Sequence, residues 1–305
     1  MADEAAARRI LASLGLSVTE LATIGEGLAS DAWSVLDGDR RLVLRVSNDV
    51  EMAATYPMEH ALMAGLVAAG ARVPSPVAGD RDVQGWDGPA FSVTTWVPGS
   101  PLRAGLRVAA APQIAAFVRV LQAIPVEGFG ALTVVDGRLR AARDDREAGI
   151  LAWATRPFWP LGSVGLEAHP PLASRPDLPR RIEPHAPVVR AALLGGPAVI
   201  LHSDLHEENL LEADGLVHVI DFGEALVGPA AWEIASIAYF LGWEVADATL
   251  DALIEDTAER ERWRADAAAV GLAFGVYRWH QDHELGMDED VHDEAFLEAT
   301  LRRMT

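Results

Sequence analysis

Apolar positions recur along this chain with two different periods, and the change between them divides it. Over residues 4–14, strong helix formers carry Ile10, Leu11 and Leu14 on one stripe, which predicts an amphipathic helix packed on the back of a sheet. From Ile24 to Val97 the period is mostly two. Ile24 to Val35 reads as strand, glycine-bearing turn, strand, and Asp37-Gly38 is a hairpin turn. Arg41 to Val46 then alternates, with Leu42, Leu44 and Val46 on one face and Val43 and Arg45 on the other. One helix interrupts this run, begun by Pro57 near its first turn, with Met58, Leu62 and Leu66 four apart and Glu59 beside them. Phe91 to Val97 is β-rich and stops at Pro98-Gly99, as a connector between two lobes should.

Beyond that point the helical period dominates. Ala110 to Ile124 predicts a core helix, and Glu147 to Trp153, Ile234 to Leu241, Leu250 to Glu255, Glu259 to Trp279 and Glu294 to Arg303 predict five more. Residues 125–148 read as loop, Arg156 to Pro160 as aromatic packing at a helix end, and the Pro- and Arg-rich 168–187 as surface cover. The expected class is α+β with two lobes. Residues 1–97 form a small antiparallel sheet lobe with a hinge at about 94–98, and 98–305 form a larger, mainly helical lobe.

Composition narrows the partners. At 305 residues, half of them apolar, the chain can bury a large core. A net charge of −20 repels phosphate backbones and anionic lipid, which excludes nucleic acid and membrane surfaces as expected partners and favours cationic ones. Without cysteine there is no disulfide and no thiolate chemistry. The N-terminus, Met1-Ala2-Asp3-Glu4, lacks a secretory pattern, and the longest apolar run, Ile234 to Trp243, is too short to cross a bilayer, so a cytoplasmic location is expected. The chain has no lysine, which rules out a Gly-Lys-Ser/Thr phosphate loop.

The chemistry concentrates in Leu201-His202-Ser203-Asp204-Leu205-His206-Glu207-Glu208-Asn209 and in Val219-Ile220-Asp221-Phe222-Gly223, whose Asp lies twelve residues after Asn209. One Asp can hold an attacking hydroxyl, while an Asn and a second Asp hold Mg²⁺ on a nucleoside triphosphate. A plain polar loop would explain the first half alone. A zinc site of His202, Asp204 and His206 would leave Asn209 and Asp-Phe-Gly without a purpose. Gly25, Gly27 and Ser30 suit either an ordinary hairpin or a loop whose amides cover phosphates.

This constellation resembles the aminoglycoside phosphotransferase-like kinases, the small-molecule branch of the protein-kinase-like fold, over roughly Ile24 to Trp243. The resemblance implies ATP, with GTP not excluded, and Mg²⁺ as cofactors. Asp204 would be the catalytic residue, and Asn209 and Asp221 the metal ligands. Gly25, Gly27 and Ser30 would cover the nucleotide, Val43 would lie over adenine, and the main chain of Thr95, Trp96 and Val97 would read the base. Arg45 would take the phosphates in place of the usual Lys, with Glu59 as its partner. Glu207, Glu208, Glu233, Asp282 and Glu284 would face a cationic small-molecule acceptor.

One turn departs from the pattern of the resembled family. Gly228-Pro229 lacks the family's Asp at that turn, and Glu233 stands at the later acidic position. Between Phe222 and Trp232 there is no Ser, Thr or Tyr, so no phosphorylation-controlled loop is expected. The implied activity is phosphorylation of an antibiotic hydroxyl, as a resistance kinase acting on an aminoglycoside or other cationic antibiotic. A metabolite kinase of the homoserine, choline, fructosamine or sugar type would use the same residues. A nucleotide-binding pseudokinase is the third reading, for which Arg45 is the one support.

Overall fold

The structure, a computed structural model, describes residues 3–26, 30–49, 53–154, 159–287 and 290–304. Gly27, Arg156, Pro157 and Phe158 lie outside the described residues. The chain folds as two compact units that are not contiguous in sequence. One comprises Met1–Ser100, Thr133–Leu139 and Leu211–Gly223, and the other Pro101–Leu132, Arg140–Leu210 and Glu224–Thr305.

The first unit is a five-stranded antiparallel sheet with helices on its faces. Its strands are β1 (Val18–Glu26), β2 (Ser30–Asp37), β3 (Arg40–Ser47), β4 (Pro76–Gly79) and β5 (Phe91–Thr95), in the order β1-β2-β3-β5-β4. The register sets Trp33 opposite Leu44, and Leu44 opposite Val93. One face therefore buries Trp33, Val35, Leu42, Leu44, Val46, Phe91 and Val93. Helix α1 (Glu4–Ser13) covers that face with Ala7, Ile10 and Leu11, as its stripe predicts. Asp3 caps it by accepting the Ala6 N–H at 2.7 Å, which satisfies one otherwise orphaned donor.

The opposite face carries Arg45 and Ser92, and α2 (Tyr56–Ala68) meets it through two polar contacts, Arg45 to Glu59 and His60 to Ser92. A hairpin formed later in the chain, β9 (Leu210–Ala213) and β10 (Leu216–Val219), joins this unit, tied down by the Val219 N–H donating to the Arg72 carbonyl. Asp214 and Gly215 both have positive φ in its turn, the backbone that a tight twisted hairpin requires. The strand leads directly to Asp221.

The second unit combines a helical core with a four-stranded antiparallel sheet, apart from the hairpin tip Thr133–Leu139, which belongs to the first unit. Its strands are β6 (Phe129–Val135), β7 (Arg138–Arg143), β8 (Ala198–Leu201) and β11 (Leu226–Pro229), in the order β7-β6-β11-β8. This corrects the expectation of a loop over 125–148. The signal was present in Asp136-Gly137, both at positive φ, between short apolar runs.

The helices are α3 (Arg107–Gln122), α4 (Arg146–Ala154), α5 (Pro170–Ala173), α6 (Asp177–Ile182), α7 (Ala186–Leu194), α8 (Ala231–Leu241), α9 (Trp243–Leu253), α10 (Thr257–Glu284) and α11 (Asp290–Arg303). The short helices of 168–187 bury Leu172, Leu178 and Ile182, so that stretch is more than surface cover. Among the described residues one helical run, Ala104–Gln122, is long and apolar enough to cross a membrane by length and composition, beyond the longest apolar run expected from the sequence. Its Ala111, Ile114, Val118 and Leu121 are fully buried in this unit, the position of a core helix.

The long α10 packs against α7, α8, α9 and α11. Close approach to α11 depends on Gly275, where an added Cβ would lie 2.7 Å from Leu297 Cδ2 and 2.9 Å from Phe296 Cδ1. Gly275→Ala should lower stability by about 1–3 kcal/mol, despite the better helix propensity of Ala. Urea unfolding checks this: a midpoint equal to or above that of the unaltered protein would mean that the two helices are free to separate.

Candidate active site

In the first unit the chemistry gathers around Arg45. Alternation along β3 turns this side chain away from the apolar core, and its Nη1 reaches Glu59 Oε2 at 2.8 Å. Glu59, on the first turn of α2, is buried, and its other oxygen accepts the Thr55 hydroxyl at 2.9 Å. Arg45 Nη2 lies 3.6 Å from Asp221 Oδ1, and the guanidinium sits over the Tyr56 ring at 5.3 Å. Burial works against the charge on Arg45, but Glu59, Asp221 and Tyr56 outweigh it and push its pKa up. Removing one member of such a buried pair leaves the other uncompensated, at a cost of about 3–5 kcal/mol.

Asp221 is half-exposed and has φ +60°, a left-handed backbone that an L-residue adopts at some cost. Val43 is half-buried on the same sheet face as Arg45, paired between Ser34 and Thr94. Gly25 pairs with Ala32 at the end of β1, and Ser30 with Ser47 at the start of β2. In the connector, the Thr95 N–H donates to the Ser75 carbonyl and the Trp96 N–H to the Arg41 carbonyl. The Trp96 ring is covered by the Arg41 guanidinium at 4.1 Å. Of these three amides, only that of Val97 has no acceptor among the described residues.

In the second unit the chemistry gathers around the loop that follows β8. Asn209 donates through Nδ2 to both the Asp204 carbonyl, at 2.9 Å, and Asp204 Oδ2, at 3.1 Å. That commitment leaves Asn209 Oδ1 without a partner among the described residues. His206 Nε2 lies 3.5 Å from Asp204 Oδ2. Burial by itself would raise the Asp204 pKa. Its hydrogen bond to His206 and the charges of His206, His202 and Arg278 outweigh that effect and hold it below the usual carboxylate range. Burial lowers the His206 pKa, yet Asp204, Glu208 and Glu207 raise it on balance. His202 is fully buried against Phe117, and its Nδ1 accepts the Asp204 N–H, so it shapes the loop.

The loop is fastened from behind by α8. Glu233, with no exposed surface, accepts the His202 N–H at 2.6 Å and the Ser203 N–H at 3.2 Å. Trp232 Nε1 donates to Ser203 Oγ at 3.0 Å, and the Ser236 hydroxyl donates to the Ser203 carbonyl at 2.9 Å. Ser203 needs this hold because its φ is +68°. Sequence reasoning missed Trp232 and Ser236, since nothing in the local pattern links them to a loop some 30 residues earlier.

Two of the expected acceptor contacts are buried. Glu233 is buried in the loop's support, and Asp282 is buried among Arg278 and Tyr239, at 3.3 and 3.1 Å. Neither presents a carboxylate to solvent. Glu207 pairs with Arg107 at 3.0 Å, Glu208 is exposed, and Glu284 lies 3.3 Å from His280 on the surface.

The sequence model of the phosphotransferase enzyme family matches residues 20–268. No curated protein matches the chain. Among solved structures, a thermostable mutant of the aminoglycoside phosphotransferase APH(4)-Ia, in a ternary complex with AMP-PNP and hygromycin B, is 18% identical. It matches with a TM-score of 0.71 over 97% of each chain. The gentamicin complex of APH(2")-IIa is 15% identical, with a TM-score of 0.64 over 100% of this chain and 99% of that one. The likeness establishes the kinase-like α+β fold.

Burial drives the Glu233 pKa up to about 7, against the pull of its two amide donors, and the nearby Asp204 charge adds to the rise. The folded chain thus keeps a proton that the unfolded chain releases near the ordinary Glu value. Its contribution to stability is complete below about pH 4.5 and is lost as pH rises through about 7, a change on the order of 3 kcal/mol. Glu233→Gln should lack that portion of the pH dependence in urea unfolding between pH 5 and 8. An identical slope in both proteins would remove Glu233 as its source.

Proposed function

The chain belongs to the phosphotransferase enzyme family, and from that premise we propose that it moves the terminal phosphoryl group of ATP, bound with Mg²⁺, onto a hydroxyl of a small-molecule antibiotic. Proteins of the same fold support these ligand classes. Their structures hold AMP-PNP, ADP or GDP, and hygromycin B, kanamycin or gentamicin. The observation that carries the reading is the Asp204 carboxylate, which is kept ionised, partly exposed and fixed by Asn209 and His206.

In this reading the acceptor hydroxyl donates a hydrogen bond to Asp204. Its oxygen forms the new bond to the γ-phosphorus while the bond from that phosphorus to the β–γ bridging oxygen breaks. ADP leaves with the electron pair, and the hydroxyl proton passes to Asp204. Phosphoryl transfer has a loose transition state in which alignment and charge neutralisation outweigh base strength, so a carboxylate with a lowered pKa suffices. Each unit offers a hard oxygen donor of the kind that would hold Mg²⁺, Asn209 Oδ1 in one and the Asp221 carboxylate in the other. When bound, Mg²⁺ draws negative charge from the triphosphate. Arg45, held by Glu59, supplies a fixed guanidinium for phosphate oxygens in a chain without lysine. A metabolite kinase is the second reading, favoured by the burial of Glu233 and Asp282, since neither is exposed to receive an amino group.

Mg²⁺-dependent ADP release across aminoglycosides, peptide antibiotics, macrolides and hydroxylated metabolites distinguishes these readings. Tight ATP binding with silence across the panel would favour a nucleotide-binding pseudoenzyme. Asp204→Asn should lower kcat by about 10²- to 10⁴-fold with ATP binding largely kept, and Asp221→Ala should abolish Mg²⁺-dependent turnover. Unchanged turnover in Asp204→Asn would defeat the assignment. Arg45→Lys should retain activity to within about tenfold, whereas Arg45→Ala should lose about a hundredfold in kcat/KM for ATP.

A further inference from the structure

The wall beside Asp204 in the second unit is made of an imidazole, a guanidinium and aromatic rings. His206, 3.5 Å from Asp204, packs its ring on Phe240 with centroids 5.6 Å apart. The Arg278 guanidinium lies over the same Phe240 ring at 5.3 Å and over Tyr239 at 5.7 Å. Asp204, His206, Phe240 and Arg278 therefore form one contiguous run. Asp204 and Arg278 each stabilise the other's charged form.

Two carboxylates of this region, Asp282 and Asp293, are buried. Asp282 has 3% of its side chain exposed, against 21% for Arg278. Both Asp282 and Asp293 hydrogen-bond with the single Tyr239 hydroxyl, at 3.1 and 2.6 Å. Glu207 is drawn to Arg107, and Glu208 is exposed. His292 stacks edge-on against Tyr239 at 4.7 Å. Arg278 spends one terminal N–H on Gln281 Oε1, at 2.9 Å, and one on Asp282 Oδ1, at 3.3 Å. Each terminal nitrogen carries two hydrogens, so each retains a further N–H.

Taking Asp204 as the residue that holds the reacting hydroxyl, a point that belongs to the function proposed above, we propose that Arg278 determines acceptor specificity: it receives a carboxylate carried by the acceptor near that hydroxyl and rejects an ammonium there. Two N–H groups on one planar cation match the paired oxygens of a carboxylate. An ammonium in the same place would meet like charge where the partly buried surroundings weaken solvent screening, so repulsion contributes to discrimination. Asp282 and the Phe240 ring hold the guanidinium in position, so it is prepared for the ligand in advance.

Glucuronate, glucose and glucosamine place a carboxylate, no charge and an ammonium on otherwise similar rings. Each is assayed with the full-length protein and MgATP for phosphoryl transfer, and by calorimetry for binding. The expected order of kcat/KM is glucuronate, glucose, glucosamine, spanning at least tenfold, and a ring that binds without reacting should follow the same order in Kd. Arg278→Gln should lower the ratio of the glucuronate to the glucose value by at least tenfold, through KM or Kd, and Arg278→Lys should restore part of that ratio. A flat or reversed order, no binding of glucuronate, or an equal loss for all three rings in Arg278→Gln would overturn the proposal. If Asp204→Asn left MgATP turnover unaltered, the phosphotransfer reading itself would be the one to fall.

Discussion

A carboxylate sealed from solvent holds the loop that carries Asp204 in shape. Glu233 accepts two successive backbone N–H groups, from His202 and Ser203, and so makes an unfavourable left-handed residue tolerable just before Asp204. Burial makes that charge expensive, and the raised pKa reports the tension. The arrangement ties the loop to the first turn of α8, whose Trp232 and Ser236 complete the grip. Loop conformation, and with it the aim of Asp204, thereby becomes a property of a rigid core helix.

Each unit prepares charge by a different device. Around Arg45, one cation is shared between the buried Glu59 and the half-exposed Asp221, so the guanidinium is oriented from one side and remains accessible from the other. Around Asp204, a neutral amide and an imidazole supply the partners. Asn209 donates with its amide nitrogen, which points its oxygen elsewhere, and His206 adds positive charge that counters the effect of burial. Both devices set ionisation and direction through neighbours already in place, which keeps reorganisation small during reaction.

The acid-rich composition is a poor guide to the wall beside Asp204. The net charge of −20 is a property of the whole surface, whereas the buried Asp282 and Asp293 are engaged with Tyr239 and the partly buried head group nearby belongs to Arg278. Long-range attraction of cations to the protein and local preference at the reacting hydroxyl are separate quantities, because the first is screened within about 10 Å of solvent and the second acts at contact.

Periodicity alone disclosed the antiparallel sheet with α1 on its apolar face, since alternation must put Leu42, Leu44 and Val46 on one side and Arg45 on the other. The spacing of Asp204, Asn209 and Asp221 carried the resemblance to the phosphotransferase family, which the family match over residues 20–268 bears out. What sequence left undecided depended on contacts between residues distant in number. Glu233 and Asp282 are acidic letters like any others until burial shows that one holds a loop and the other holds Arg278. Arg278 itself gains meaning only when α8 and α10 bring Phe240 beside it. Local patterns specify which face of an element is buried, but which polar group is covered and by whom is set by packing of the whole chain.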